Sequence, residues 1–111
     1  MRSLTFAKDF NNSKLFFSNS ELSKILSLYS IGVSQGNWRD YAIDYKINEA
    51  NFFMFKHSLA YPDCILTKSF RTKKNSFIYK LDMGNKNRNK FNKIDDLLII
   101  LKRKNFRLVK I

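Results

Sequence analysis

In "GNWRDYAIDYKINEANFFMFKHS", residues 36–58, the segment from Trp38 to Ile47 follows period two, the period of an extended strand. Tyr41, Ile43, Tyr45 and Ile47 fall on one side, and Trp38, Asp40, Ala42, Asp44 and Lys46 on the other. Asn48 and Glu49 read as a turn, and the next strand, Ala50 to about His57, returns beside the first as a hairpin. That second strand carries Phe52 and Met54 on one side and Phe53 and Phe55 on the other. A strand apolar on both sides predicts cover on both.

Working outward, Tyr61-Pro62-Asp63 breaks the chain. A third strand from about Cys64 to Phe70 and a fourth from about Ser76 to Met83 flank the turn "RTKKN", residues 71–75. Phe77, Tyr79, Leu81 and Met83 share one side of the fourth strand. "GNKNRNKFNK", residues 84–93, reads as a polar, basic connection. Lys93 to Lys104 reads as a helix on electrostatic grounds. Asp95 and Asp96 stand in its first turn and Lys102, Arg103 and Lys104 in its last, each sign matching the helix dipole. "FRLVKI", residues 106–111, adds a short strand or a tail.

Upstream, "FSNSELSKIL", residues 17–26, opens a helix. Ser18 as N-cap puts Glu21 at the third helical position, a capping box, with Phe17 and Leu22 placed for a hydrophobic staple. Leu22, Ile25, Leu26, Tyr29 and Val33 follow one helical face, and Gly36 supplies the left-handed stop, giving a helix over about 19–35. The expected architecture is α+β: an N-terminal helix, a four-stranded antiparallel meander and a C-terminal helix. Residues 1–13 read as a loose leader and 14–111 as a single domain.

Composition narrows the function classes. A chain of 111 residues with 44% apolar content holds one core and is too hydrophobic for disorder. The longest clear apolar run is "LLIIL", Leu97 to Leu101, far short of the ~18 residues of a membrane helix, so no membrane insertion is expected. No export signal is legible at the start, and the single Cys64 forms no internal disulfide; both fit the cytoplasm. The net charge of +12 is unevenly spread: residues 1–67 carry seven Lys or Arg against six Asp or Glu, and residues 68–111 fourteen against three. Such asymmetry marks a polyanion-binding surface. A/T-rich codons dictate much the same composition, and that reading stands beside the first.

At "ELSKIL" and "GNWRDYAIDY" the chain resembles an alphaproteobacterial family of small proteins classed as a domain of unknown function, carrying a W-R-D-Y-A-I-D strand motif. Glu21, Leu22, Ile25, Leu26, Tyr29 and Trp38 to Asp44 carry the likeness, which extends loosely over about residues 15–109. "FNKIDD" departs from the family's pattern of a basic residue followed by Gly. The resemblance implies a compact bacterial cytoplasmic protein and brings no activity or catalytic residue with it.

The sequence holds no recognisable catalytic or metal-binding constellation. Asp40 and Asp44, four residues apart on a strand, stand roughly 13 Å apart along the backbone, beyond the roughly 5–9.5 Å of a glycosidase pair unless side chains close the gap. Trp38, Arg39, Asp40, Tyr41 and Asp44 are therefore read as scaffold, with Trp38 at the sheet edge and the charges bonded to neighbours. His57 and Cys64 are read as a surface imidazole and a structural thiol rather than a nucleophilic pair. No cofactor is expected: metal-ligand spacing is absent, and three glycines in all form no phosphate loop. The basic half is the better material. Lys68, Arg71, Lys73 and Lys74 cluster on the third strand and its turn; Lys86, Arg88, Lys90 and Lys93 follow; Lys102, Arg103, Lys104, Arg107 and Lys110 finish the chain. These are the expected contacts for RNA or DNA, held by diffuse backbone attraction because lysine predominates. The competing expectation is an apolar sheet face that binds another protein or a second copy.

Overall fold

A computed structural model describes residues 14–84 and 88–105; the expected leader and the "FRLVKI" segment lie outside the described residues. The first helix, α1, spans Asn19–Ser34. It begins at a reciprocal capping box. Glu21 N–H donates to Ser18 Oγ at 3.0 Å, and Ser18 N–H donates to Glu21 Oε1 at 2.8 Å. It stops where Gly36 takes a φ of +80°, with the Gln35 and Asn37 N–H groups donating to the carbonyls of Ile31 and Gly32. The expected stripe is displaced around the helix. Ile25, Leu28 and Gly32 are buried, Leu22, Leu26 and Tyr29 pack at the margin, and Val33 is exposed.

Gly32 and Trp38 explain the displacement. A Cβ at position 32 would land inside the Trp38 ring, so the indole fills the slot that the missing side chain leaves. Trp38 is 2% exposed and stacks on Tyr29 with ring centroids 6.2 Å apart. It therefore sits beneath α1 rather than at the sheet edge. Alternation counted back to position 38 misplaces it because the strand begins only at Asp40.

The sheet has five strands, not four: β1 Asp40–Tyr45, β2 Glu49–Phe55, β3 Cys64–Arg71, β4 Ser76–Asp82 and β5 Arg88–Phe91. All neighbours are antiparallel in chain order, a simple meander. The fifth strand lies inside the stretch expected to be a connection. Its four residues are polar except for Phe91, so no alternation advertises it. The helix α2, Ile94–Asn105, follows with Asp95 and Asp96 in its first turn and three cations in its last.

Register sorts the side chains. Tyr45, Ala50, Lys68, Tyr79 and Phe91 form one row across the sheet, and Ile43, Phe52, Leu66, Leu81 and Asn89 another on the same face. Phe52, Leu66 and Leu81 join Ile25 and Leu28 of α1 and Leu97 and Leu101 of α2 in one core. Each large apolar side chain fully buried there stabilises the fold by about 1.5–3 kcal/mol. α2 packs against α1, β4 and β5, and Lys24 bridges to Asp95 at 2.8 Å. Both helices thus cover one face of the sheet, and the expected cover on the second face is absent among the described residues. Phe53 and Phe55 are half-buried on that face.

Candidate functional site

The uncovered face is built from two cross-strand rows. Asp44, Asn51, Thr67, Lys80 and Lys90 make one; Ala42, Phe53, Ile65, Asp82 and Arg88 make the next. Between them runs a groove of about 460 Å³, lined by Lys46, Glu49, Asn51, Phe53, Ile65, Thr67, Lys80, Asp82, Arg88 and Lys90 among others. One edge of it is fixed by hydrogen bonds. Thr67 Oγ1 donates to Asn51 Oδ1 at 2.6 Å, and Asn51 Nδ2 donates to Glu49 Oε2 at 3.1 Å. Asn51 is 5% exposed, so both ends of this buried amide are satisfied. Arg88 Nε lies 3.5 Å from Asp82, and Lys46 Nζ 3.8 Å from Asp44. Lys80 and Lys90, directly opposite each other on β4 and β5, have no acidic partner among the described residues.

The other expected cations divide sharply. Lys73 and Lys74 are exposed in the β3–β4 turn, which Asn75 closes with a φ of +50°. Lys93 is exposed before α2, and Lys102, Arg103 and Lys104 at its last turn. Arg71 is half-buried; its Nη2 donates to Ser76 Oγ at 3.1 Å and to Asn92 Oδ1 at 3.3 Å. Lys86, Arg107 and Lys110 lie outside the described residues.

Lys68 is withdrawn from the surface altogether. Its ammonium donates to Glu21 Oε1 at 2.8 Å and to the Phe16 carbonyl at 2.9 Å, and it lies 4.4 Å from the Phe77 ring centroid. Tyr79 Oη donates to the second carboxylate oxygen of Glu21. Burial raises the Glu21 pKa, but the bonds from Lys68, Tyr79 and the Ser18 N–H, with the Lys68 charge, bring it below its ordinary value. Tyr79 is pushed up, first by burial and then by Glu21. Tyr79 is thereby core, while Phe77 stays at the margin, 38% exposed.

At the opposite end of the sheet, Val33, Gly36, Trp38, Arg39, Lys56 and His57 line a cavity of about 510 Å³. Asp40 and Asp44 do not line it, and the Asp40 carboxylate accepts from the Tyr41 N–H at 2.8 Å. Arg39 and Asp40 form no ion pair with any described residue. The cavity lies at the C-terminal end of α1, whose last turn has no basic residue of its own. Cations from the neighbouring loops suit the negative end of that dipole. Cys64 is buried on the helix-covered face, and burial, reinforced by Asp82 and Asp63, pushes its thiol up to about 12. A thiol so placed supplies no thiolate at neutral pH. Among the described residues, no group of three or more His, Cys, Asp or Glu could hold a metal ion, and no helix is long and apolar enough to cross a membrane.

Sequence reading missed Lys46 and Lys80 as lining residues. Alternation along the fourth strand already placed Lys80 opposite Tyr79 and Leu81, but the face it belonged to was assumed to be covered. Residues 15–96 match a family model described as "Protein of unknown function (DUF2794)", a span running from before α1 through β5 into the first turn of α2. No curated protein and no solved structure matches the chain.

Proposed function

Given that the chain belongs to the DUF2794 family of proteins of unknown function, we propose that it is a non-enzymatic binding domain that contacts nucleic acid through its C-terminal half. The observation that carries the reading is the uncovered sheet face. Both helices pack on the other side, and Lys80, Arg88 and Lys90 stand on this one, with Lys73 and Lys74 on the adjoining turn. An open antiparallel sheet backed by helices is a platform on which single strands stack and are held by cations. With lysines outnumbering arginines, attraction to phosphate dominates over base reading, so little sequence preference follows. The W-R-D-Y-A-I-D resemblance and the unpaired, inert Cys64 support a bacterial cytoplasmic setting.

Fluorescence anisotropy with labelled RNA and DNA across a salt series tests the proposal. If six to ten cations meet phosphates, affinity falls about 10³- to 10⁵-fold between about 50 and 200 mM salt. No binding at low salt, or a flat salt response, removes it. A second reading rests on the half-buried Phe53 and Phe55, an apolar strip that suits a protein partner or a second copy. Light scattering separates the two: a concentration-dependent dimer favours the strip, and a monomer that binds oligonucleotide favours the cations.

A further inference from the structure

Lys80 and Lys90 are Cα partners across β4 and β5, so their ammonium groups leave the same face from backbones about 4.5–5.5 Å apart. Like charges directly opposite each other destabilise a strand pair. Elsewhere on this face a cation is answered by a carboxylate, Arg88 by Asp82 and Lys46 by Asp44. At Lys80 and Lys90 none answers among the described residues. The repulsion is relieved when one bridging anion takes hydrogen bonds from both.

Beside the lysines the groove offers a different chemistry. Phe53 and Ile65, Cα partners on β2 and β3, form an apolar floor one row over, and Asn51 with Thr67 sets a fixed polar edge. Sheet spacing puts the floor about 10–12 Å from the lysine pair, a gap that the Lys80 stem shortens. Resting on the nucleic-acid reading above, we infer that this groove is a nucleotide site for a single strand. One phosphate bridges Lys80 and Lys90, and the adjoining base lies on Phe53 and Ile65. A duplex keeps its bases stacked inside and offers the groove phosphate alone. An acidic peptide satisfies the lysines but leaves the apolar floor without a flat partner.

The test uses the full chain and a fluorescein-labelled oligouridine of about twelve nucleotides, within the length range of single-strand sites. An abasic strand of equal length and charge is the second probe. The expected results are about tenfold weaker binding of the abasic strand, and loss of that difference in Phe53→Leu, which keeps apolar volume without the ring. Lys80→Gln with Lys90→Gln is expected to weaken oligouridine binding at least tenfold and to lower the salt slope by about two. The same variant is expected to melt at or above the wild-type temperature, which shows that it folds. Equal binding of the two strands, an unchanged affinity in the double variant, or equal competition by polyglutamate overturns the groove while leaving non-specific nucleic-acid binding in place. Absence of binding by either strand at low salt overturns both.

Discussion

Lys68 and Lys80 stand on adjacent strands, one residue out of register with each other, and meet opposite fates. Lys68 pairs across the sheet with Tyr79, and Lys80 with Thr67. That single step puts Lys68 under α1 and Lys80 into solvent. On the covered face the Lys68 side chain is 6% exposed and holds a Glu21 side chain that is itself 14% exposed. On the uncovered face Lys80 stands between Thr67 and another lysine, with no carboxylate paired to it among the described residues. An enclosed charge is tied to its partner, because removing either strands the other in a desolvated site, whereas an unenclosed charge adds to surface potential. Strand parity decides which.

The sharpest way to break this contrast is on the covered side. Trp38→Ala empties the slot beneath α1 and is expected to cost about 3–5 kcal/mol by chemical denaturation. Gly32→Ala drives a methyl into the same ring and is expected to cost about 1–3 kcal/mol. Lys68→Met leaves Glu21 enclosed without its cation, and a loss of about 3 kcal/mol is expected at neutral pH. A neutral outcome for that variant would mean the two faces do not differ as described.

The Glu21 carboxylate makes the contrast depend on pH. Its folded pKa lies below the ordinary 4.5, so its contribution is present above that value and is lost as pH falls through the folded pKa. Thermal melts are expected to weaken from about pH 4.5 downward, with a shallower acid limb in Glu21→Gln. On the uncovered face the effect reverses and shrinks. Lys80→Glu replaces an opposed like pair with an ion pair and is expected to gain about 0.2–1 kcal/mol. A measured loss there would show that Lys80 already has a partner in the free protein.

Much of the fold was legible because local chemistry and tertiary structure agree. The capping box at Ser18 and Glu21 and the stop at Gly36 appear where spacing put them. Asp40–Tyr45 and its Phe-rich partner pair as a hairpin, as alternation predicts. The dipole-matched charges at both ends of α2 mark a real helix. What escaped was decided at a distance. Gly32 joins the buried line of α1 only because Trp38 arrives from outside the helix, and no helical period contains that. β5 is held by its neighbour and by α2 rather than by its own apolar content. Of the expected contacts, Lys68 is enclosed because its strand face is covered, a matter of parity across three strands. Lys80 went unremarked for the same reason, as an ordinary lysine between two core residues.

Glu21 joins events that are separate in most helices. One carboxylate oxygen accepts from the Ser18 N–H and from Lys68, and the other from Tyr79. Fraying of the first turn of α1 therefore breaks a long-range contact with two strands, and undocking of the strands removes the helix start. Amide deuterium uptake at Glu21 and Leu22 should follow whole-molecule unfolding instead of the fast exchange usual at a helix end, making this carboxylate the point where short-range and long-range order melt together.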